Sequence, residues 1–549
     1  MTRLSYEHGV FAEPLIGETI GHNLERTAAR VPDGGALVSC HQGLSYSYAE
    51  FNDAVDRLAS GMLAGGLTKG DRVGVWSTNR AEWALVQYAT AKLGVILVNI
   101  NPSYRVSELE YALGQSGCRW IVACSQTHGS DFVEMVAQVR PRLPVLERAV
   151  FFETDEWEQL AAGDPSQRDG VRAAMDELDF DEPINIQYTS GTTGFPKGAT
   201  LTHHNILNNG YFVGSLLGYT EHDRVCVPVP LYHCFGMVMG NLGSTSHGSC
   251  IVYPAESFEP EATMRACDRE RCTSLYGVPT MFIAQLGHER FADYDLSSLR
   301  TGIMAGSPCP IEVMKRVSSE MGINELGIAF GMTETSPVTT QVRRDDTLEN
   351  RCGTVGQVMP HTEIKIVGVG GDKSGRTVAR GEPGEFLARG YAVMRGYWNE
   401  PERTAEAIDQ QRWMHTGDLA TMDDQGYVRV VGRIKDMVIR GGENVYPREI
   451  EEFLYTHQQV ADVQVIGVPD ERYGEELMAW IVLRAGAECD EEEIREFCRG
   501  QIAHYKIPRY VKFVDSFPMT VTGKVQKFKM RETAVQELGL DNAATIATA

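Results

Sequence analysis

Tyr188-Thr-Ser-Gly-Thr-Thr-Gly-Phe-Pro-Lys-Gly198 gathers four aliphatic hydroxyls, three glycines and one lysine into eleven consecutive residues. Such a loop suits phosphate. Glycines let backbone N–H groups turn toward an anion, Ser190, Thr192 and Thr193 add hydroxyl donors, and Lys197 supplies a point charge. Ile184, Ile186 and Tyr188 alternate before it like the end of a strand, and Thr202 is placed to cap the helix that follows. A Walker A loop is excluded, because that motif needs glycine before its lysine and Ser or Thr after it, where this chain has Pro196 and Gly198.

The loop instead resembles the phosphate-binding signature of the adenylate-forming superfamily, which contains acyl-CoA synthetases, peptide-synthetase adenylation domains and luciferases. Further segments similar to that family's motifs follow in order. Pro230-Leu-Tyr-His-Cys-Phe-Gly236 resembles its aromatic and histidine segment, which implies that His233 flanks the acyl carboxylate. Phe330-Gly-Met-Thr-Glu-Thr-Ser-Pro337 implies the Phe330 ring near adenine, Gly331 beside it, Thr333 on phosphate and Glu334 on Mg2+, a metal that takes hard oxygen ligands. Many family members have tyrosine at Phe330, so the stacking face is kept and a phenol hydrogen bond is absent.

Thr416-Gly-Asp418 and Gly432-Arg-Ile-Lys-Asp436 extend the resemblance, which implies that Asp418 and Arg433 clamp the ribose and that Lys435 is the interdomain hinge. Aspartate is frequent at that hinge. Arg440-Gly-Gly-Glu-Asn-Val-Tyr-Pro447 resembles the loop lining the pantetheine channel, which implies CoA contacts from Arg440, Gly441, Gly442 and Glu443. Lys524, in Pro518-Met-Thr-Val-Thr-Gly-Lys-Val-Gln-Lys527, matches the adenylation lysine, whose cation bridges the attacking carboxylate and the α-phosphate. The full implied ATP site is Thr189, Ser190, Gly191, Thr192, Thr193, Gly194, Lys197, Gly306, Ser307, Phe330, Gly331, Thr333, Asp418, Arg433 and Lys524, with Lys524, His233 and Glu334 catalytic.

The implied acyl pocket draws on His233, Phe235, Met237, Ala305, Gly331 and Met332, with Val278-Pro279 and the stretch to Gly240 alongside. These positions are apolar apart from His233, and they offer no charge to pair with an amino acid's ammonium. Flanking residues are most similar to medium-chain fatty acyl-CoA synthetases of the acyl-CoA synthetase family member 2 type. An AMP-forming carboxylic acid:CoA ligase using ATP, Mg2+ and coenzyme A is therefore expected. Bulky aromatic or polycyclic acids, transfer to a carrier protein, and an inactive nucleotide or acyl sensor are the alternatives.

Composition fits that expectation. The chain has 549 residues and a formal charge of −23, which argues against nucleic acid and anionic membranes as partners. Between Arg499 and Arg531 the sign reverses. Eight basic residues (Arg499, Lys506, Arg509, Lys512, Lys524, Lys527, Lys529, Arg531) meet one acid, Asp515, so this stretch is expected to attract the phosphates of ATP and CoA. Twelve scattered cysteines show no C-x-x-C and no zinc spacing, and read as inert thiols in a reducing compartment. No apolar run reaches transmembrane length, and the acidic N-terminus does not read as a leader, so a cytoplasmic location is expected. A homodimer is compatible with all of this.

Asp71-Arg-Val-Gly-Val-Trp-Ser77, an amphipathic helix over Ala81 to Lys92, and Val95 to Ile100 predict a βαβ unit. Repeats of that pattern to about residue 330 predict two parallel-rich layers, and glycine turns between Arg351 and Val431 predict a small distorted barrel. The expected fold is α/β, with residues 1–434 forming a large N-terminal domain of layered α/β subdomains plus that barrel. A small mobile α+β lid, residues 435–549, follows the Lys435 hinge. In it, Asp490 is expected to cap a helix with Glu493 as the capping-box acid, and strands are expected at Val460 to Val468, Met478 to Leu483 and Val511 to Val514.

Overall fold

The predicted βαβ unit is present as Arg72–Trp76, Ala81–Leu93 and Ile96–Ile100, at the centre of a seven-stranded sheet. The computed structural model describes residues 3–127, 129–189, 196–307, 309–370, 374–440, 443–470, 472–519 and 525–540. In that first sheet, Arg148–Phe151, Trp120–Ala123, Arg72–Trp76, Ile96–Ile100 and Pro183–Thr189 run parallel, and Lys197–Thr202 and Gly396–Tyr397 close one edge antiparallel. A second sheet of nine strands has a parallel centre, from Gly35–Ser39 through Cys250–Tyr253, Arg224–Cys226, Ser274–Gly277 and Thr301–Ala305 to Glu325–Gly331.

Helix Ala81–Leu93 corrects one expectation. It is not amphipathic: all of its residues except Glu82 are buried, because it touches strands of both sheets and further helices. A helix covered all round has no polar face, so its apolar stripe carries no directional signal. Its Lys92, fully buried, is held by Asp56, Glu25 and Asn52.

Residues 357–433 supply most of an antiparallel five-stranded sheet ordered Tyr6–His8, Thr362–Val367, Gly384–Gly390, Met414–Met422 and Val428–Arg433; where a closed barrel was expected, the end strands Tyr6–His8 and Val428–Arg433 are not paired with each other among the described residues and the sheet is open. Its outer strand comes from the N-terminal segment, a pairing of more than 350 positions' separation that local pattern does not encode.

Beyond Val428–Arg433 the chain turns at 434–436 and enters a different sheet at Val438–Arg440, so Lys435 lies in the turn between two sheets. Val460–Asp470, Gly474–Leu483 and Tyr510–Phe513 match the strands expected there. Asp490 caps Glu491–Cys498 by accepting the Glu493 N–H at 2.9 Å. The basic stretch is not an open cationic face. Arg499 pairs with Glu492 and Glu496, Lys506 with Glu449, Arg509 with Asp470, Lys512 with Glu537, Lys527 with Glu451 and Arg531 with Glu475. Counting charge along a window missed these acids, because all of them lie outside it.

The core also holds neutral histidines. His203 is fully buried and accepts the Ile20 N–H on Nδ1 at 3.2 Å. Burial lowers its pKa to about 3 and that of His247 to about 4. The unfolded chain takes up these protons near pH 6.5 and the folded one does not, so stability is present above that value and is lost as pH falls toward 4. Each group contributes a slope of about 1.4 kcal/mol per pH unit in that window. The urea midpoint of the N-terminal domain is expected to drop between pH 7 and 5; a flat midpoint contradicts buried neutral rings.

Candidate active site

The hydroxyl- and glycine-rich loop joins two paired strands. Thr189 ends Pro183–Thr189, Lys197 begins Lys197–Thr202, and the two stand opposite each other across the hairpin. Ser190, Gly191, Thr192, Thr193 and Gly194 lie outside the described residues. The next helix, His203–Leu216, begins a full strand later, capped reciprocally by Thr202 and Asn205. Thr189 and Lys197 therefore flank the loop, with the helix N-terminus a strand's length away.

Glu334 reaches the mouth of that hairpin from the turn after Glu325–Gly331. Its carboxylate is 5% exposed, accepts the Tyr397 phenol at 2.8 Å and lies 3.5 Å from the Thr189 hydroxyl. Tyr397 also places its ring under the Lys197 ammonium, 5.0 Å from the centroid. Burial first, and Glu334 next, push the Tyr397 phenol well above its ordinary pKa, so it stays a donor. Sequence reading missed Tyr397. Its signal was its place in Arg395-Gly-Tyr-Trp398, which pairs with Lys197–Thr202 and brings the ring to the loop.

Nucleoside-side candidates assemble beside this cluster. Asp418 and Arg433 are register partners on adjacent strands, and the guanidinium Nε donates to Asp418 Oδ1 at 3.2 Å. Phe330 packs edge-on against Phe386 at 5.5 Å, and the Phe386 carbonyl accepts the Thr416 hydroxyl, which links the expected adenine and ribose sides. Gly331 is exposed and cannot carry a side chain, because a Cβ there would stand 1.9 Å from the Pro337 carbonyl oxygen. Gly306 is exposed with φ +89° at the end of Thr301–Ala305, followed by half-buried Ser307.

The segment carrying His233, Phe235 and Met237 passes into a π-helix over Phe235–Leu242. Four buried amides of the N-terminal half hold it. Asn79 accepts the Leu231 N–H and donates to the Val229 carbonyl; Asn99 and Gln187 both donate to the Tyr232 carbonyl; Gln87 donates to the Met237 carbonyl. None of these amides stood out in the sequence. His233 is half-buried against the Tyr232 ring, 4.3 Å between centroids, and Phe235 packs on Tyr276. Cys234 joins the two regions: burial raises its thiol pKa, Glu334 adds to that rise and the Thr333 hydroxyl opposes it. Gln187, on the strand that ends at Thr189, ties this segment to the carboxylate side through its bond to the Tyr232 carbonyl. Met332 is half-buried and Ala305 buried at the same sheet end.

Lid residues are placed less uniformly. Lys435 is exposed in its turn. Arg440 is turned into the lid, where its guanidinium donates to buried Glu476 at 2.8 Å and to the Tyr505 carbonyl at 2.7 Å; an internal ion pair holds it where a CoA contact was expected. Gly441, Gly442 and Lys524 lie outside the described residues, as does the side chain of Glu443. Helix Pro447–Leu454 meets the N-terminal domain through Arg448, which donates to the Cys309 carbonyl at 3.1 Å, just after Gly306 and Ser307.

Residues 24–398 match the family model for AMP-binding enzymes, and residues 449–524 match that for the AMP-binding enzyme C-terminal domain. The chain belongs to the AMP-binding enzyme family. Within this adenylate-forming group it is an ATP-dependent, AMP-forming acyl-CoA synthetase. It is 44% identical to the mitochondrial medium-chain acyl-CoA ligase ACSF2 of Danio rerio over 557 residues, covering 98% of this chain and 91% of that protein. The putative acyl-CoA synthetase YngI of Bacillus subtilis is 45% identical over 551 residues, with 96% and 99% covered. Among solved structures, the anthranilate CoA ligase AuaEII in complex with anthranoyl-AMP superposes with a TM-score of 0.84 at 27% identity, covering 96% of this chain and 99% of that one. ATP-bound MatB from Rhodopseudomonas palustris gives 0.80 at 28%, covering 94% and 99%. Among the described residues no helix is long and apolar enough to cross a membrane.

Proposed function

We propose that this acyl-CoA synthetase activates medium-chain fatty acids, with residues 1–434 as the AMP-binding domain and 435–549 as a lid that alternates about Lys435. The observation that carries the reading is a shared strand: Gln187, two positions before Thr189, donates to the Tyr232 carbonyl at 2.6 Å and so ties the segment leading into apolar Phe235–Leu242 to the strand that ends at the hydroxyl–carboxylate–ammonium cluster of Thr189, Glu334, Tyr397 and Lys197. A fatty acid needs the first and a nucleoside triphosphate the second. The relatives named for medium-chain acids support the chain length; ring acids, carrier-protein loading and an inactive sensor are not favoured by them.

In the first half-reaction a carboxylate oxygen attacks the α-phosphorus of ATP, forming the acyl-adenylate and releasing pyrophosphate. Lys197 and the hairpin loop hold the phosphates, Asp418 and Arg433 hold the ribose, and Lys524 neutralises charge at the α-phosphate. Glu334 fits Mg2+, since a buried carboxylate flanked by Thr189 and Tyr397 hydroxyls is a hard oxygen donor set. Bound there, the ion would neutralise charge on phosphate oxygens. In the second half-reaction the CoA sulfur attacks the acyl carbon and AMP leaves, with Gly441 and Gly442 lining the pantetheine path. Twelve unpaired thiols suit a reducing compartment, and we place the protein in the cytoplasm.

Pyrophosphate and thioester formation across aliphatic acids of increasing length, with ring acids as comparison, tests the substrate class. Peak turnover at medium length supports it; turnover confined to ring acids overturns it. Tyr397→Phe removes one bond to a carboxylate, worth about 1.5–3 kcal/mol, so adenylation is expected to slow by roughly tenfold to a hundredfold. The slowing should be accompanied by a higher Mg2+ requirement. An unchanged pyrophosphate burst contradicts a positioning role for Tyr397.

A further inference from the structure

Three thiols that are far apart or irregularly spaced in the chain meet inside the second sheet's helical side. Cys226 ends strand Arg224–Cys226, Cys267 lies in helix Pro260–Arg269, and Cys272 follows that helix just before strand Ser274–Gly277. All three are 0% exposed, and their sulfurs lie within 4.8 Å of one another. The spacing C-x4-C plus a residue forty-one positions upstream matches no zinc pattern, which is why the sequence gives no warning of the cluster.

We propose that Cys226, Cys267 and Cys272 form a binding site for a soft monovalent d10 ion of the copper(I) type, separate from the acyl-CoA synthetase site.

The donor set selects the ion. Three sulfurs without a histidine or carboxylate among them favour soft thiophilic ions. Zn2+ in a closed protein site takes four ligands, and among the described residues this group offers three. The surroundings are largely apolar: Leu275, Met264 and Phe282 belong to the same core cluster, and the oxygen facing a sulfur of the trio is the neutral Ala266 carbonyl, 3.7 Å from the Cys272 thiol. Arg224, two positions before Cys226 on the same strand, is a cation at this end of the sheet, and its guanidinium pairs with Glu270. Cys250 is buried in the same core cluster and half-buried Cys40 packs against it. On binding, each coordinating S–H exchanges its proton for a bond to the metal, and the protons leave to solvent, so metal uptake must release acid. No sulfur changes oxidation state.

The test is anaerobic titration of the full-length reduced protein with Cu(I) held by a chromogenic chelator. Readouts are stoichiometry, proton release, a near-ultraviolet sulfur-to-copper charge-transfer band and the X-ray absorption coordination shell. The expected result is one ion per chain that competes with the chelator, in an all-sulfur three-coordinate shell. The single variants Cys226→Ser, Cys267→Ser and Cys272→Ser should each lose at least about tenfold in affinity, whereas Cys118→Ser, a buried thiol elsewhere, should not. Wild-type protein that leaves copper with the chelator overturns the proposal without any variant. So does binding that persists undiminished when all three sulfurs are replaced. Should a serine variant fold poorly, the alanine variant at the same position gives the same comparison, with circular dichroism confirming the fold.

Discussion

Lys524→Ala is expected to slow acyl-adenylate formation by about 10²–10³-fold, the loss typical when one preorganised donor to developing charge is removed. Conversion of supplied acyl-adenylate and CoA to thioester should stay within about twofold of wild type. The asymmetry follows from the proposed division of labour. Charge grows on the α-phosphate only while pyrophosphate leaves, and an ammonium at that point acts on the first transition state alone. Rapid-quench measurement of each half-reaction separates the two, and equal losses in both would show that Lys524 serves the lid's fold or docking instead. The helix that follows Lys524 at Lys527–Leu538 packs on strand Val460–Asp470, so a local disturbance of the lid has a ready control in the stability of that contact.

The second large effect is structural. Lys527 donates to Glu451 at 2.6 Å and to the Val465 carbonyl at 3.0 Å, and Glu451 also accepts the Val465 N–H at 2.8 Å. The Glu451 side chain is 2% exposed. Removing one partner of such a pair leaves a buried charge uncompensated, at a cost of about 3–5 kcal/mol. Lys527→Ala is therefore expected to destabilise the lid by that amount while the N-terminal domain keeps its own transition. Hydrogen exchange across Val460–Asp470 and Pro447–Leu454 reads the effect directly. The double variant Lys527→Met with Glu451→Leu should recover part of the loss, since an apolar pair of similar volume avoids the stranded charge but leaves the Val465 N–H without its Glu451 acceptor. Unchanged exchange in Lys527→Ala would mean that water already screens the carboxylate. The structure thus replaces an electrostatic role for Lys527 toward ATP and CoA with a role inside the lid.

Much of the site was legible because the chemistry is written in contiguous segments. Thr189 and Lys197 were found from one loop, Phe330 through Glu334 from one turn, and Asp418 with Arg433 from two short motifs that prove to be cross-strand partners. Tyr397 and the amides Asn79, Gln87, Asn99 and Gln187 were not found. Each makes its contact to a residue far along the chain, and a lone tyrosine or amide has no periodicity or spacing to mark it. The ion pair of Arg440 went unseen for a related reason: Glu476, thirty-six positions away, is what its guanidinium meets.

The sequence by itself determined the family, the α/β class, the order of strands and helices around the motifs, and the two-step chemistry, because backbone propensity, turn residues and short catalytic segments are local properties. Only the tertiary structure decided which charges are free and which are paired. It also decided that Ala81–Leu93 is buried on every side, that Tyr6–His8 completes a sheet begun at residue 362, and that three separated cysteines share one pocket. Those outcomes depend on which distant surfaces meet when the sheets stack. Burial then sets the energy of each polar group by its new neighbours, and no window of consecutive residues contains them.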